Sequence, residues 1–121
     1  MKSRARKPAR RPLGDRDEDG DYFAALAYEA VYAGEGGRFR DLRPGARAAW
    51  RKAAAAIAAA VRAGERDLMR LARISFETSY PATEIRFERL DAANLAIHRS
   101  SAKAIAAAVR RKDTAMRKRA A

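Results

Sequence analysis

The chain has 121 residues, with 27 Lys and Arg against 15 Asp and Glu, one His and no Cys, for a formal net charge of +12. That length suits one modest core rather than two, and the lack of cysteine excludes disulfides and thiolate metal sites. The charge makes a polyanion the first partner class: nucleic acid first, an anionic membrane surface or an acidic protein next.

Residues 2–11 are basic, as the start of a signal peptide would be, but no apolar stretch of secretory length follows. Ala53–Val61 is too short and too weakly hydrophobic to span a bilayer. The expectation is a soluble chain of the host-cell cytoplasm or of a virion, with no membrane partner. Residues 1–21 hold seven basic and five acidic groups, sorted into a basic block and an acidic one, with Leu13 as the one sizeable apolar side chain. Such a segment cannot offset its ordering entropy by burial, so a disordered charged tail is expected there. The remainder divides into a helical domain over 22–112 and a basic C-terminal tail over 113–121.

The first helix is read from "DYFAALAYEAVYAGEGG": Phe23, Leu26, Ala27, Ala30 and Val31 follow helical spacing, with Gly34 placed to end it. Tyr22, Tyr28 and Tyr32 are expected at the core boundary rather than as a base-stacking platform. After a loop to about Arg43, "RAAWRKAAAAIAAAV" forms a second helix. Trp50, Ile57 and Val61 share a narrow arc flanked by Ala53 and Ala54, while Arg47, Arg51 and Arg62 lie a quarter turn or more around. Alanine keeps helix propensity high and lets a neighbour approach closely. Trp50 is then expected to anchor the core, with Trp50→Ala costing about 3–5 kcal/mol.

"YEAVY" (28–32), "GG" (36–37), "DL" (41–42) and "RAAWRKAA" (47–54) resemble the pattern of short, mostly uncharacterised proteins of actinobacterial phages and prophages: Tyr-Glu-Ala, a glycine loop, Asp-Leu, then Arg-x-x-Trp opening a second helix. The resemblance covers about a quarter of the chain. It implies a phage origin and a helical hairpin, and carries no catalytic residue with it.

"GERDLMRLARISFETSY" is open to two readings. As a helix it lines Leu68, Leu71, Ala72, Ser75 and Phe76 along one face and Arg66, Arg70 and Arg73 along the other. As strands, Ile74, Phe76, Thr78 and Tyr80 alternate and return through Ile85 and Phe87. The helix is preferred, because an isolated hairpin is marginal in water and the helical pattern begins well before Ile74. A long helical pattern then runs from about Pro81 to Lys112, with Phe87, Leu90, Ala93, Ile97, Ala104, Ile105 and Ala108 on one face, interrupted by Asn94 and Ser101. Arg99, Lys103 and Arg110 share the other side. The end adds Arg111, Lys112, Arg117, Lys118 and Arg119, more cations than the helix dipole calls for.

The expected fold is all-α, a small bundle of three to four helices with a long C-terminal helix and a disordered basic N-terminal tail. Three arginine or lysine stripes, on Arg47, Arg51 and Arg62, on Arg66, Arg70 and Arg73, and on Arg99, Lys103 and Arg110, together with the basic end, point to phosphate binding with little dependence on base sequence. No RRM, KH or zinc-finger spacing is present. A helix-turn-helix over Ala56–Ser75 would put Arg70 where a buried residue belongs. Catalysis has little support: His98 is the one imidazole and is expected at the surface or core edge, "GEGG" lacks the strand and lysine of a P-loop, and no metal-ligand or cofactor spacing occurs. The expectation is a non-enzymatic nucleic-acid binder for DNA or RNA. The alternatives are an assembly protein whose basic arms bind neighbouring subunits, as a homo-oligomer or in a virion, and a small regulator docking on an enzyme.

Overall fold

The computed structural model describes residues 21–32, 35 and 37–120. Apart from Asp21, the charged tail lies outside them, and so does Gly34. The described residues form four α-helices and two single-turn 3-10 helices, with no strand among them: α1 over 21–31, α2 Pro44–Arg62, α3 Leu68–Ser79 and α4 Ala92–Ala120, with 3-10 turns at Phe39–Asp41 and Phe87–Arg89.

Local chemistry sets most boundaries. Pro44 opens α2 at the position where a missing N–H costs nothing and a fixed φ helps. Gly64 closes it with φ +106°: its N–H donates to Val61 O at 3.0 Å and the Glu65 N–H to Ala60 O at 2.9 Å, the paired bonds of a glycine C-cap. Asp67 caps α3, its Oδ1 accepting the Met69 N–H at 2.8 Å. Asp91 does the same for α4 through the Asn94 N–H at 2.8 Å.

Residues 74–79 are helical, so the strand alternative fails there. The long helical pattern expected from Pro81 begins only at Ala92, because the chain first turns at 81–82 and again through Phe87–Arg89 before Asp91 supplies a cap. At the other end, the stretch set apart as a tail from 113 continues α4 through Ala120.

Alpha-2, α3 and α4 pack pairwise, and α1 closes the assembly with Phe23, Ala24 and Ala27. The largest fully buried side chains are Ile57, Leu71, Ile105 and Val109, one or two from each of α2, α3 and α4. Buried alanines fill the rest, among them Ala54, Ala72, Ala102 and Ala106. The α3 face is the expected one, with Leu71, Ala72, Ser75 and Phe76 buried. On α1 the buried arc is rotated toward Ala24, leaving Ala30 exposed. On α4, Ala93 is exposed, and the buried row is His98, Ser101, Ala102, Ile105, Ala106, Ala108 and Val109.

Trp50 is half-buried rather than central: Tyr28 meets its ring edge-on at 5.3 Å and Tyr32 at 6.3 Å, so it staples α1 to α2 at the bundle's edge. Tyr22 and Tyr32 remain largely exposed.

Candidate nucleic-acid interface

The expected basic residues separate into two groups according to what their side chains meet. On α2, Arg51 bonds Asp21 at 3.0 Å, and Arg62 grips both carboxylate oxygens of Asp113 at 3.1 and 3.3 Å. Arg47 is half-buried, with an Nε that is enclosed and has no hydrogen-bond partner. Around α3, Arg70 lies 3.8 Å from Glu65, and Arg73 bonds Glu77 at 2.9 Å and Glu88 at 2.6 Å while lying over the Phe87 ring. Arg66 falls in the loop before α3, exposed and outside any helical stripe. The stripes expected on α2 and α3 are therefore mostly neutralised by the protein's own acids.

Alpha-4 differs. Between Ala92 and Ala120 it carries eight cations and one acid, Asp113, whose carboxylate is already occupied by Arg62. That bond, helped by the nearby charges of Arg117 and Lys112, holds the Asp113 carboxyl below its ordinary pKa. Lys112 lies over the Phe23 ring at 5.8 Å. The other seven, Arg99, Lys103, Arg110, Arg111, Arg117, Lys118 and Arg119, are exposed and none forms an ion pair among the described residues, although Arg117 adds to the positive field at Asp113 one turn back.

Their arrangement follows from the packing. The side chains of His98, Ser101, Ala102, Ile105 and Val109 are buried on the side that packs on α2 and α3 and leave the opposite arc to solvent. On that arc Arg99, Lys103, Arg110 and Arg117, spaced by four, seven and seven residues, fall within about 40° of one another and span about 27 Å along the axis. Arg111 and Lys118 form a second row about a quarter turn away. Between the rows stand only Ala96, Ser100, Ala107 and Thr114, so the guanidinium and ammonium groups overhang a smooth surface that a phosphate backbone can approach.

The one imidazole is not on this face. His98 is 8% exposed, and its Nδ1 is hydrogen-bonded to Ser75 Oγ at 2.8 Å, joining α4 to α3. Phe76 and Tyr80 stand edge-on to the ring at 5.5 and 6.3 Å. Burial lowers its pKa and favours the neutral ring. Ser75 is 3% exposed, so the serine and histidine form a buried polar strut between α3 and α4. The residue thus sits deeper than a surface position, and its partner lies 23 residues away, where no local sequence pattern pairs the two.

Among the described residues, concavities also lie away from this face. A cleft of about 670 Å³ beside the 80–89 segment is lined by Arg73, Arg86 and Arg89 against Glu77, Glu84 and Glu88, equal numbers of each sign. A smaller one of about 380 Å³ brings Arg38, Arg40 and Arg47 to Asp21 and Glu29. Neither offers the one-signed field of α4. Among the described residues no group of three or more His, Asp or Glu is placed to hold a metal ion, and no helix is long and apolar enough to cross a membrane.

No family model matches the chain, and neither a curated protein nor a solved structure does.

Proposed function

We propose that this chain is a small phage-encoded protein that binds nucleic acid without catalysis, through phosphate contacts made by the outer face of α4. The observation that carries the reading is the sorting of charge: the ion pairs among the described residues are made by Arg51, Arg62, Arg70 and Arg73, while seven exposed cations stand along one helix, α4, without one. Cations with partners have little to gain from a phosphate. Cations without them release condensed counterions from the nucleic acid, and that release drives association.

Fluorescence anisotropy with a labelled duplex of arbitrary sequence, titrated between 50 and 300 mM salt, tests this. Engagement of four to seven of the α4 cations gives a log Kobs against log salt slope of about −4 to −6. Replacing Arg99, Lys103, Arg110 and Arg117 together by Ser removes about 3–4 from its magnitude. The same net change made at Arg51, Lys52, Arg70 and Arg73, none of which lies on α4 or pairs with its acid, leaves most of it. Equal losses from the two sets, or no binding at 50 mM, would overturn the assignment. A chain that ignored nucleic acid and self-associated in sedimentation would belong with the assembly proteins instead.

A further inference from the structure

The last turns of α4 have a shape that narrows the ligand, given the phosphate-binding reading above. The buried row of α4 ends at Val109, and Lys112 and Asp113 are the last half-buried residues. Residues 114–120 are exposed on every side, so about 10 Å of helix projects beyond the bundle. Along it Arg117, Lys118 and Arg119 are consecutive, and at about 100° per residue they fan around the axis, placing Arg117 and Arg119 about 160° apart. A flat anionic surface can meet only one side of such a rod. A groove walled by two phosphate backbones meets both.

We infer that the projecting end of α4 enters the major groove of B-form duplex DNA, with Arg117 and Arg119 reaching the phosphates of opposite strands and Arg110 and Arg111 meeting the groove's rim two turns back. The B-form major groove is about 12 Å wide and admits an α-helix, whereas that of A-form RNA is too deep and narrow for side chains to read. Thr114, Ala115 and Ala120 keep the rod thin on their sides, while Met116, 52% exposed, lies on the side that continues the buried row of α4. Single strands are disfavoured by what α4 lacks: it has no Phe, Tyr or Trp, and its one aromatic ring, His98, is buried, so no base can stack on it.

The test uses the full chain and three probes of equal length and sequence, duplex DNA, duplex RNA and single-stranded DNA, at 100 mM salt. Duplex DNA is expected to bind about tenfold tighter than either other probe. Methyl green, a major-groove ligand, is expected to compete, and netropsin in the minor groove to have no effect. The variant R117S/K118S/R119S, with its helicity checked by circular dichroism, should lose the preference for duplex DNA and about 2–3 of the salt slope. Salt-sensitive binding of all three probes with equal affinity, or competition by netropsin alone, would overturn the groove assignment and leave phosphate binding standing. Failure of all three probes to bind would remove both.

Discussion

At the scale of single residues, the hydrogen bond between Ser75 and His98 ties α3 to α4 and makes stability depend on pH. Burial depresses the His98 pKa in the folded chain, so between that value and the ordinary one near 6.5 the unfolded state binds more protons. Stability from the neutral ring is therefore complete above about pH 6.5 and is lost as pH falls below it. Urea melts at pH 7.5, 6.5 and 5.5 should show a falling midpoint, and His98→Gln, less stable throughout, should show no such slope. The carboxylates held low, Asp113 by its hydrogen bonds from Arg62 and Glu88 by a hydrogen bond from its own backbone N–H and then by Arg73, contribute their loss at lower pH, below the ordinary carboxylate range, so the two windows are separable. Gly64 offers a second measurement. Nothing lies within 4 Å of a Cβ built there, so Gly64→Ala has only its backbone cost at φ +106°, about 1–2 kcal/mol in thermal or denaturant unfolding. The turn at Gly64 was legible because a glycine between two periodic segments has few other meanings. The strut was not, since serine and histidine on separate helices leave no periodic trace.

Elements were legible where one local pattern ruled and shifted where two competed. The α3 face was read correctly down to Leu71, Ala72, Ser75 and Phe76 because four apolar or small side chains recur at three- and four-residue intervals. The alternation Ile74, Phe76, Thr78, Tyr80 inside it is incidental, and no adjacent strand exists among the described residues to stabilise it. The start of α4 was read about eleven residues early. Phe87 and Leu90 continue the helical spacing, yet they belong to a 3-10 turn and its cap and are only half-buried, and Asp91 supplies the cap that begins the helix. Caps of this kind are measurable: Asp67→Ala removes the acceptor for the Met69 N–H and should cost about 1 kcal/mol. Trp50 was taken as a core anchor because aromatic area is large. The fold places it at the edge against Tyr28 and Tyr32, with the fully buried positions going to Ile57, Leu71, Ile105 and Val109. Trp50→Ala is accordingly expected at the low end of the aromatic-to-alanine range, about 3 kcal/mol, with loss of the near-ultraviolet signal from its contacts with the two tyrosines.

For the whole molecule, charge is the property the chain sorts most strongly, and sequence alone shows only half of it. Three basic stripes are visible along the chain, but whether a stripe is free depends on acids that arrive from far away: Asp21 reaches Arg51 across 30 residues, Asp113 reaches Arg62 across 51, and Glu88 reaches Arg73 across 15. After those pairings α4 keeps a continuous row of cations without ion pairs, where the poverty of acids was legible from composition, while others such as Arg43, Lys52 and Arg66 are scattered over α2 and the loops. Asp113 is the hinge of this sorting, since it is the one acid on α4 and lies beside the Arg99–Arg117 row while silencing Arg62. Asp113→Asn removes a negative charge from the face and frees a guanidinium at its edge. The variant should bind polyanion more tightly at low salt, and the magnitude of the log–log salt slope should rise by up to about 1, the share of one added phosphate contact. Because the ion pair is partly solvent-exposed, its own contribution to stability is small, so the variant stays folded and the comparison remains one of binding. An unchanged slope would mean that the α4 face does not carry the interaction, whatever the net charge of the chain.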